Sequence, residues 1–193
     1  AVFLTTRNAT SNSIFLTRAD REQMKGEWRT VLGSRLVAVA PSASGDSIIA
    51  VADYGDSYRV PLAEIGRSKF VMESVGRFRL PDKLASSVEG LVLNDGRLAA
   101  WCGAPEPSMW TFTPTGQLER KWTLPDAPQT APVAIDGGVV FGLPNGQLHV
   151  SATAGGKAAG DYRSTKVQDQ QQPWKSLTAI SKTQVLAITG DNQ

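Results

Sequence analysis

Apolar residues in this chain come in short runs. Val, Ile, Leu, Thr and aromatic side chains cluster over four to eight positions, and Gly, Pro, Asn, Asp and Ser separate the clusters. That pattern predicts β-strands joined by turns, recurring about every 8–12 residues. Helical periodicity is scarce. The best helical candidate, Ala19-Asp20-Arg21-Glu22-Gln23-Met24-Lys25, is too short to stand without packing, and Leu62 to Ile65 predicts a single turn. The expectation is an all-β chain.

The runs recur in a fixed order. An aromatic inside a polar–apolar alternation appears in Gly26-Glu27-Trp28-Arg29-Thr30, Gly76-Arg77-Phe78-Arg79-Leu80, Arg120-Lys121-Trp122-Thr123-Leu124 and Gly160-Asp161-Tyr162-Arg163-Ser164. The aromatics stand 50, 44 and 40 residues apart. After each comes a first apolar run, at Leu36 to Ala40, Val88 to Leu93, Ala131 to Ile135 and Ser176 to Ile180. A turn and a second run follow, at Ser47 to Ala52, Leu98 to Cys102, Val139 to Leu143 and Val185 to Thr189. Two of these turns, Asn94-Asp95-Gly96-Arg97 and Asp136-Gly137-Gly138, are of the Asp-Gly kind that closes tight hairpins. Third runs lie at Tyr58 to Leu62, Trp110 to Thr113 and Leu148 to Ala152. A period of this size signals a repeat architecture. Four consecutive antiparallel strands, a to d with the aromatic on d, make one blade of a β-propeller. A β-sandwich offers similar strand spacing, but the same order of cues through three full units favours blades.

The predicted organisation is a single propeller segment: a partial blade over 1–32, blades over 33–82, 83–126 and 127–167, and a partial blade over 168–193. Val2 to Thr6, Ser13 to Thr17 and the Trp28 strand align as b, c and d, and the chain closes on an a and a b. Seventeen predicted strands are one more than four blades hold. The expectation is an arc of a larger ring. Its end blades would present apolar faces that the remaining blades, a second copy or a protein partner would cover.

Residues 121–157 carry a resemblance. Lys121-Trp122-Thr123-Leu124, Ala131-Pro132-Val133-Ala134-Ile135-Asp136-Gly137-Gly138-Val139-Val140-Phe141-Gly142 and Asn145-Gly146-Gln147-Leu148-His149-Val150 resemble the quinoprotein-type, WD40-like β-propeller repeat, and Ala154-Gly155-Gly156-Lys157 looks like its closing turn. The likeness is fair over 77–120. Relatives with this repeat include quinone-dependent dehydrogenases, and also non-catalytic propellers such as a lipoprotein scaffold of outer-membrane assembly and propellers appended to bacterial signalling proteins.

The dehydrogenase reading implies a Ca²⁺ with six to eight converging oxygen ligands. The acids available, Asp53, Asp56, Glu89, Asp126, Asp161 and Asp169, are scattered along the chain, and the adjacent cysteine pair of some such enzymes is missing. No cofactor, metal or catalytic residue is therefore assigned. The single His149 reads as a structural side chain on a strand, with no second His for a metal triad. No G-x-S-x-G elbow or Walker loop occurs. Cys102, beside Trp101, reads as a buried small hydrophobe and excludes an internal disulfide. Asn8-Ala9-Thr10 fits a glycosylation sequon but reads as a turn in a bacterial chain.

Composition narrows the partners. The chain has 193 residues, 41% hydrophobic and 20% charged, with a net charge of +2. That balance offers no basic footprint for nucleic acid or an anionic membrane. No apolar run approaches the roughly 18 residues of a membrane span. A periplasmic or otherwise extracytoplasmic setting is favoured.

The expected function is a non-catalytic scaffold for protein–protein interaction or ligand display. Its alternative is part of a quinoprotein-like oxidoreductase or a sugar-binding propeller. Loops b–c and d–a share one face of a propeller, and the binding candidates there are Tyr54, Asp56, Glu106, Asn145, Gln129 and Trp174. Exposed aromatics such as Tyr54 anchor interfaces. For Trp174 the favoured reading is a plug in the seam between blades, ahead of a place on the exposed face. The Gln168 to Pro173 stretch reads as a solvated connection.

Overall fold

The computed structural model describes residues 2–7, 14–23, 25–32, 35–64, 73–80, 87–153, 165–166 and 173–190. Seventeen strands lie among these residues, in five antiparallel sheets. The first sheet holds β1 (Val2–Arg7), β2 (Ile14–Ala19) and β3 (Gly26–Leu32) in that order. Three four-stranded meanders follow. They are β4 (Leu36–Pro41), β5 (Ser47–Ala52), β6 (Asp56–Pro61) and β7 (Glu73–Arg77); β8 (Glu89–Val92), β9 (Leu98–Cys102), β10 (Ser108–Phe112) and β11 (Leu118–Thr123); and β12 (Val133–Ile135), β13 (Gly138–Leu143), β14 (Gln147–Ala152) and β15 (Thr165–Lys166). The last sheet pairs β16 (Trp174–Ala179) with β17 (Val185–Thr189). Each strand pairs with its sequence neighbours, the a–b–c–d order of a blade.

The turns are built from residues the backbone needs there. Gly96 and Gly137, in the predicted Asp-Gly turns, have positive φ, as do Gly45, Gly55 and Gly116. Leu62–Glu64 forms one 3₁₀ turn, as the pattern predicts. Among the described residues the short helical candidate at 19–25 forms no helix, in keeping with its length. Ala19 ends β2, and a turn over 21–23 leads into β3. The Asp20 amide donates to the Lys25 carbonyl (2.9 Å) and closes the β2–β3 hairpin, while Asp20 Oδ1 accepts the amides of Glu22 (2.9 Å) and Gln23 (2.7 Å) inside it. Of the repeated aromatics, Trp28 lies in β3 and Trp122 in β11, Phe78 stands one residue beyond β7, and Tyr162 is outside the described residues.

The core lies between blades. The innermost strands follow one another: β4 packs on β8, β8 on β12 and β12 on β16. The second strands β5, β9 and β13 are buried along their whole length, because both of their faces meet other residues of the fold. Leu98, Ala100 and Cys102 of β9 face Ile49, Val51 and Phe78 of the preceding blade. The alternate residues Ala99 and Trp101 face Val139 and Phe141 of the following one. Phe78 reaches across the first of these seams to Trp110 and Phe112, with ring centroids 4.9 and 5.3 Å away. Each such side chain gains about 1.5–3 kcal/mol from burial. The fourth strand β11 is exposed at five of its six residues and carries Glu119, Arg120 and Lys121, which guard an outer edge.

Candidate functional site

Hydrogen bonds divide the loops into two faces. On one, the Phe78 amide donates to the Gly55 carbonyl (2.8 Å) and the Leu124 amide to the Pro107 carbonyl (2.9 Å), joining the d–a connections to the b–c loops. On the other, the Leu62 amide meets the Asp46 carbonyl (2.8 Å) and the Thr153 amide the Gly137 carbonyl (2.8 Å). That second face is laced from blade to blade. Asn94 Nδ2 donates to Asp136 Oδ1 (3.1 Å), and the Asp136 amide to the Lys182 carbonyl (2.6 Å). Asp46 accepts hydroxyls from Ser44, Ser47 and Ser42, which hold its carboxyl well below the ordinary range.

The b–c and d–a face carries the candidate site. Tyr54 stands in the loop between β5 and β6 and is 47% exposed. Its ring is tilted against Tyr58, 6.5 Å between centroids, which limits its freedom. Beside it the Asp53 amide donates to the Arg35 carbonyl (2.9 Å). The Arg35 guanidinium is shared. It donates to Glu89 Oε1 (3.0 Å) and to the Val88 carbonyl, and lies 3.6 Å from Asp53 Oδ2. Ser87 Oγ donates to the same Glu89 oxygen (2.8 Å). Arg35 enters one blade and Glu89 begins the next, so this cluster ties two blades at the rim beside Tyr54. Sequence reading missed it as a unit, since 54 residues separate Arg35 from Glu89. The available signal was positional: both stand at the entry to a first strand.

The other candidates divide. Glu106 is exposed in the loop between β9 and β10, and its carbonyl accepts the Cys102 thiol (3.6 Å). Gln129 is exposed after β11. Its amide donates to the Gly142 carbonyl (2.8 Å) and its Oε1 accepts the Trp174 amide (3.3 Å). Asn145 lies in the 3₁₀ turn Pro144–Gly146 between β13 and β14.

Two candidates are displaced from the exposed face. Asp56 opens β6 instead of standing in a loop. It is buried and its Oδ1 accepts Arg77 Nε (2.8 Å), so its charge is already matched. Trp174 opens β16 and is buried in the seam with the β12–β15 blade, its Nε1 donating to the Gln147 carbonyl (3.0 Å). The two sheets approach closely at Gly142: a Cβ there would stand 3.0 Å from Cδ1 of the indole and 3.0 Å from Thr130 Oγ1, so a side chain fits only if those neighbours give way.

The remaining chemistry-bearing residues are embedded. His149 sits half-buried on β14 opposite Phe141, and burial pushes its imidazole below the ordinary value. Cys102 is buried on β9, and burial pushes its thiol up. Of the scattered acids, Asp53 and Glu89 converge on Arg35, and Asp126 Oδ1 accepts the Ala127 amide (2.7 Å). Asp161 and Asp169 lie outside the described residues. Among the described residues no three His, Cys, Asp or Glu side chains group as metal ligands.

No protein-family model matches the chain, and no curated protein matches it in sequence. Its fold is similar to solved β-propellers. The β-propeller domain of Cps50 (Swd1) from Myceliophteria thermophila superposes with a TM-score of 0.55 at 16% identity, over 97% of this chain and 62% of that one. A protein of unknown function from Bacteroides caccae gives 0.53 at 15%, over 98% and 65%. BamB from Moraxella catarrhalis gives 0.53 at 13%, over 98% and 59%. The chain thus spans about three fifths of the length of these structures. Identities this low carry the fold and nothing finer.

Proposed function

We propose that this arc of propeller blades is a non-catalytic scaffold that binds a protein partner through the b–c and d–a loop face, at Tyr54 and the Arg35–Asp53–Glu89 rim. The observation that carries the reading is the Tyr54 ring. It is a large amphipathic side chain held half out of the fold, backed by Tyr58 and flanked by a charge cluster whose geometry is already set. A pre-set aromatic anchor with a polar rim is the usual composition of an interface centre. Glu106 and Gln129 extend the same face from the neighbouring blade. Asn145 belongs to the third b–c loop. The partner suited to it offers an apolar or aromatic group to Tyr54 and hydrogen-bonding groups to the carboxylates around Arg35.

A photo-crosslinking residue placed at position 54, and separately at position 121 on the outer strand β11, tests this. A saturable adduct with one protein should form from position 54 only. Excess unlabelled chain should compete it away, and the Tyr54→Ala chain should not. Equal labelling from both positions would sink the proposal.

A further inference from the structure

The outer half of the β4–β7 blade carries a positive charge beside Tyr54. Arg77 ends β7 and lies opposite Asp56 across the β6–β7 pair. Opposite residues of an antiparallel pair share a face, and so do residues two apart on one strand. Arg77, Asp56 and Tyr58 therefore stand on one face of the sheet. Tyr58 in turn backs the Tyr54 ring, 6.5 Å between centroids. The amide of Phe78, which follows Arg77, donates to the carbonyl of Gly55, which follows Tyr54, at 2.8 Å. That bond fixes the loop against the end of β7.

Asp56 holds Arg77 at one corner. Its Oδ1 accepts Nε at 2.8 Å, and Asp56 is buried while the Arg77 side chain is 81% exposed. A guanidinium presents its N–H donors in a planar fork, so a bond through Nε sets the plane and leaves the head in solvent. The acids of the neighbouring cluster, Asp53 and Glu89, are turned to Arg35. Burial pushes the Tyr58 phenol up, so it keeps its proton and its donor near the same guanidinium.

We infer that Arg77 takes the carboxylate of an Asp or Glu side chain on the protein partner whose apolar or aromatic group packs on Tyr54. The inference rests on the binding role proposed for the Tyr54 face. A carboxylate matches the planar fork, and a guanidinium whose plane is already set loses little freedom on capture. Asp56 at the other corner selects for a single negative charge, since a phosphate, with about twice the charge, would meet about twice the repulsion.

Two blocked dipeptides test this, acetyl-Phe-Glu-amide and acetyl-Phe-Gln-amide, which differ only in the side-chain charge. Each is titrated into the 193-residue chain while NMR follows the Tyr54 ring and the Arg77 Nε–H signal. The Glu peptide should shift both saturably and bind about fivefold or more tighter than the Gln peptide. Arg77→Gln should bring the two peptides level. Asp56→Asn with Arg77→Gln should do the same with no buried carboxylate left unmatched, which separates lost recognition from a folding defect. The position-54 crosslink to the partner should weaken in the Arg77→Gln background. Peptides that bind alike to the unchanged chain, no shift with either, or an adduct indifferent to the Arg77 change would overturn this inference and leave the Tyr54 reading standing. Absence of the position-54 adduct with Arg77 in place would remove the reading itself, and this inference with it.

Discussion

Replacing Trp174 by Ala should loosen the last sheet from the blade beside it. The indole is 6% exposed, and its Nε1 donates to the Gln147 carbonyl at 3.0 Å. A Cβ added at Gly142 would come within 3.0 Å of Cδ1 and 3.2 Å of Cγ, so the ring fills the gap between β13 and β16. Truncating a buried Trp costs about 3–5 kcal/mol through lost transfer energy and the cavity left behind. Loss of the hydrogen bond adds about 1 kcal/mol. Trp174→Phe keeps most of the ring and should cost only about 1–2 kcal/mol. Because the sheet is held through this seam, the loss should appear first as local opening. Hydrogen-exchange protection over 174–189 should fall by roughly a hundredfold or more, at about 1.4 kcal/mol per decade. A double-mutant cycle isolates the contact. A Cβ at Gly142 would also lie 3.0 Å from Thr130 Oγ1, so Gly142→Ala alone should cost about 1–3 kcal/mol by overpacking, and less, though not nothing, once Trp174 is Ala. A Trp174→Ala cost below about 1 kcal/mol, or strict additivity with Gly142→Ala, would refute the seam.

Other outcomes follow from the same geometry. Gly45 and Gly116 both have positive φ, but a Cβ at Gly45 meets nothing within 4 Å while one at Gly116 would meet Val75 Cγ2 at 2.6 Å and Ile49 Cγ2 at 2.9 Å. Gly45→Ala should therefore cost about 1 kcal/mol of backbone strain and Gly116→Ala clearly more, compared by urea denaturation; equal costs would remove the inter-blade contact from the explanation. His149 is the single histidine, and its folded value lies below the ordinary 6.5 because burial disfavours the cation. The unfolded chain takes up the proton first, so stability should be full above pH 6.5 and fall as pH drops below it. His149→Gln should flatten that slope, and a wild-type stability that rises on acidification through this range would contradict the sign.

Much of the architecture was legible locally. Period-two alternation, Asp-Gly turns and recurring aromatics act between near neighbours, and they located the first three strands of each meander and the partial sheets at both ends. The misses were local too. Trp174 and Asp56 sat in stretches that read as loops, and proved to be the first residues of strands.

The amino-acid order by itself determined which residues extend, where the chain turns, and that the second strand of each unit carries no charge. Those properties depend on backbone preferences and spacing along the chain. Only the tertiary structure decided which neighbour each alternate side chain faces. Ala99 and Ala100 are identical in chemistry and adjacent in sequence, yet they pack against different blades. It also decided that Arg35 and Glu89 meet beside Tyr54, and that Trp174 seals a seam where it could have stood in solvent. Contacts across tens of residues exist only once whole blades stack, because each blade supplies half of every interface.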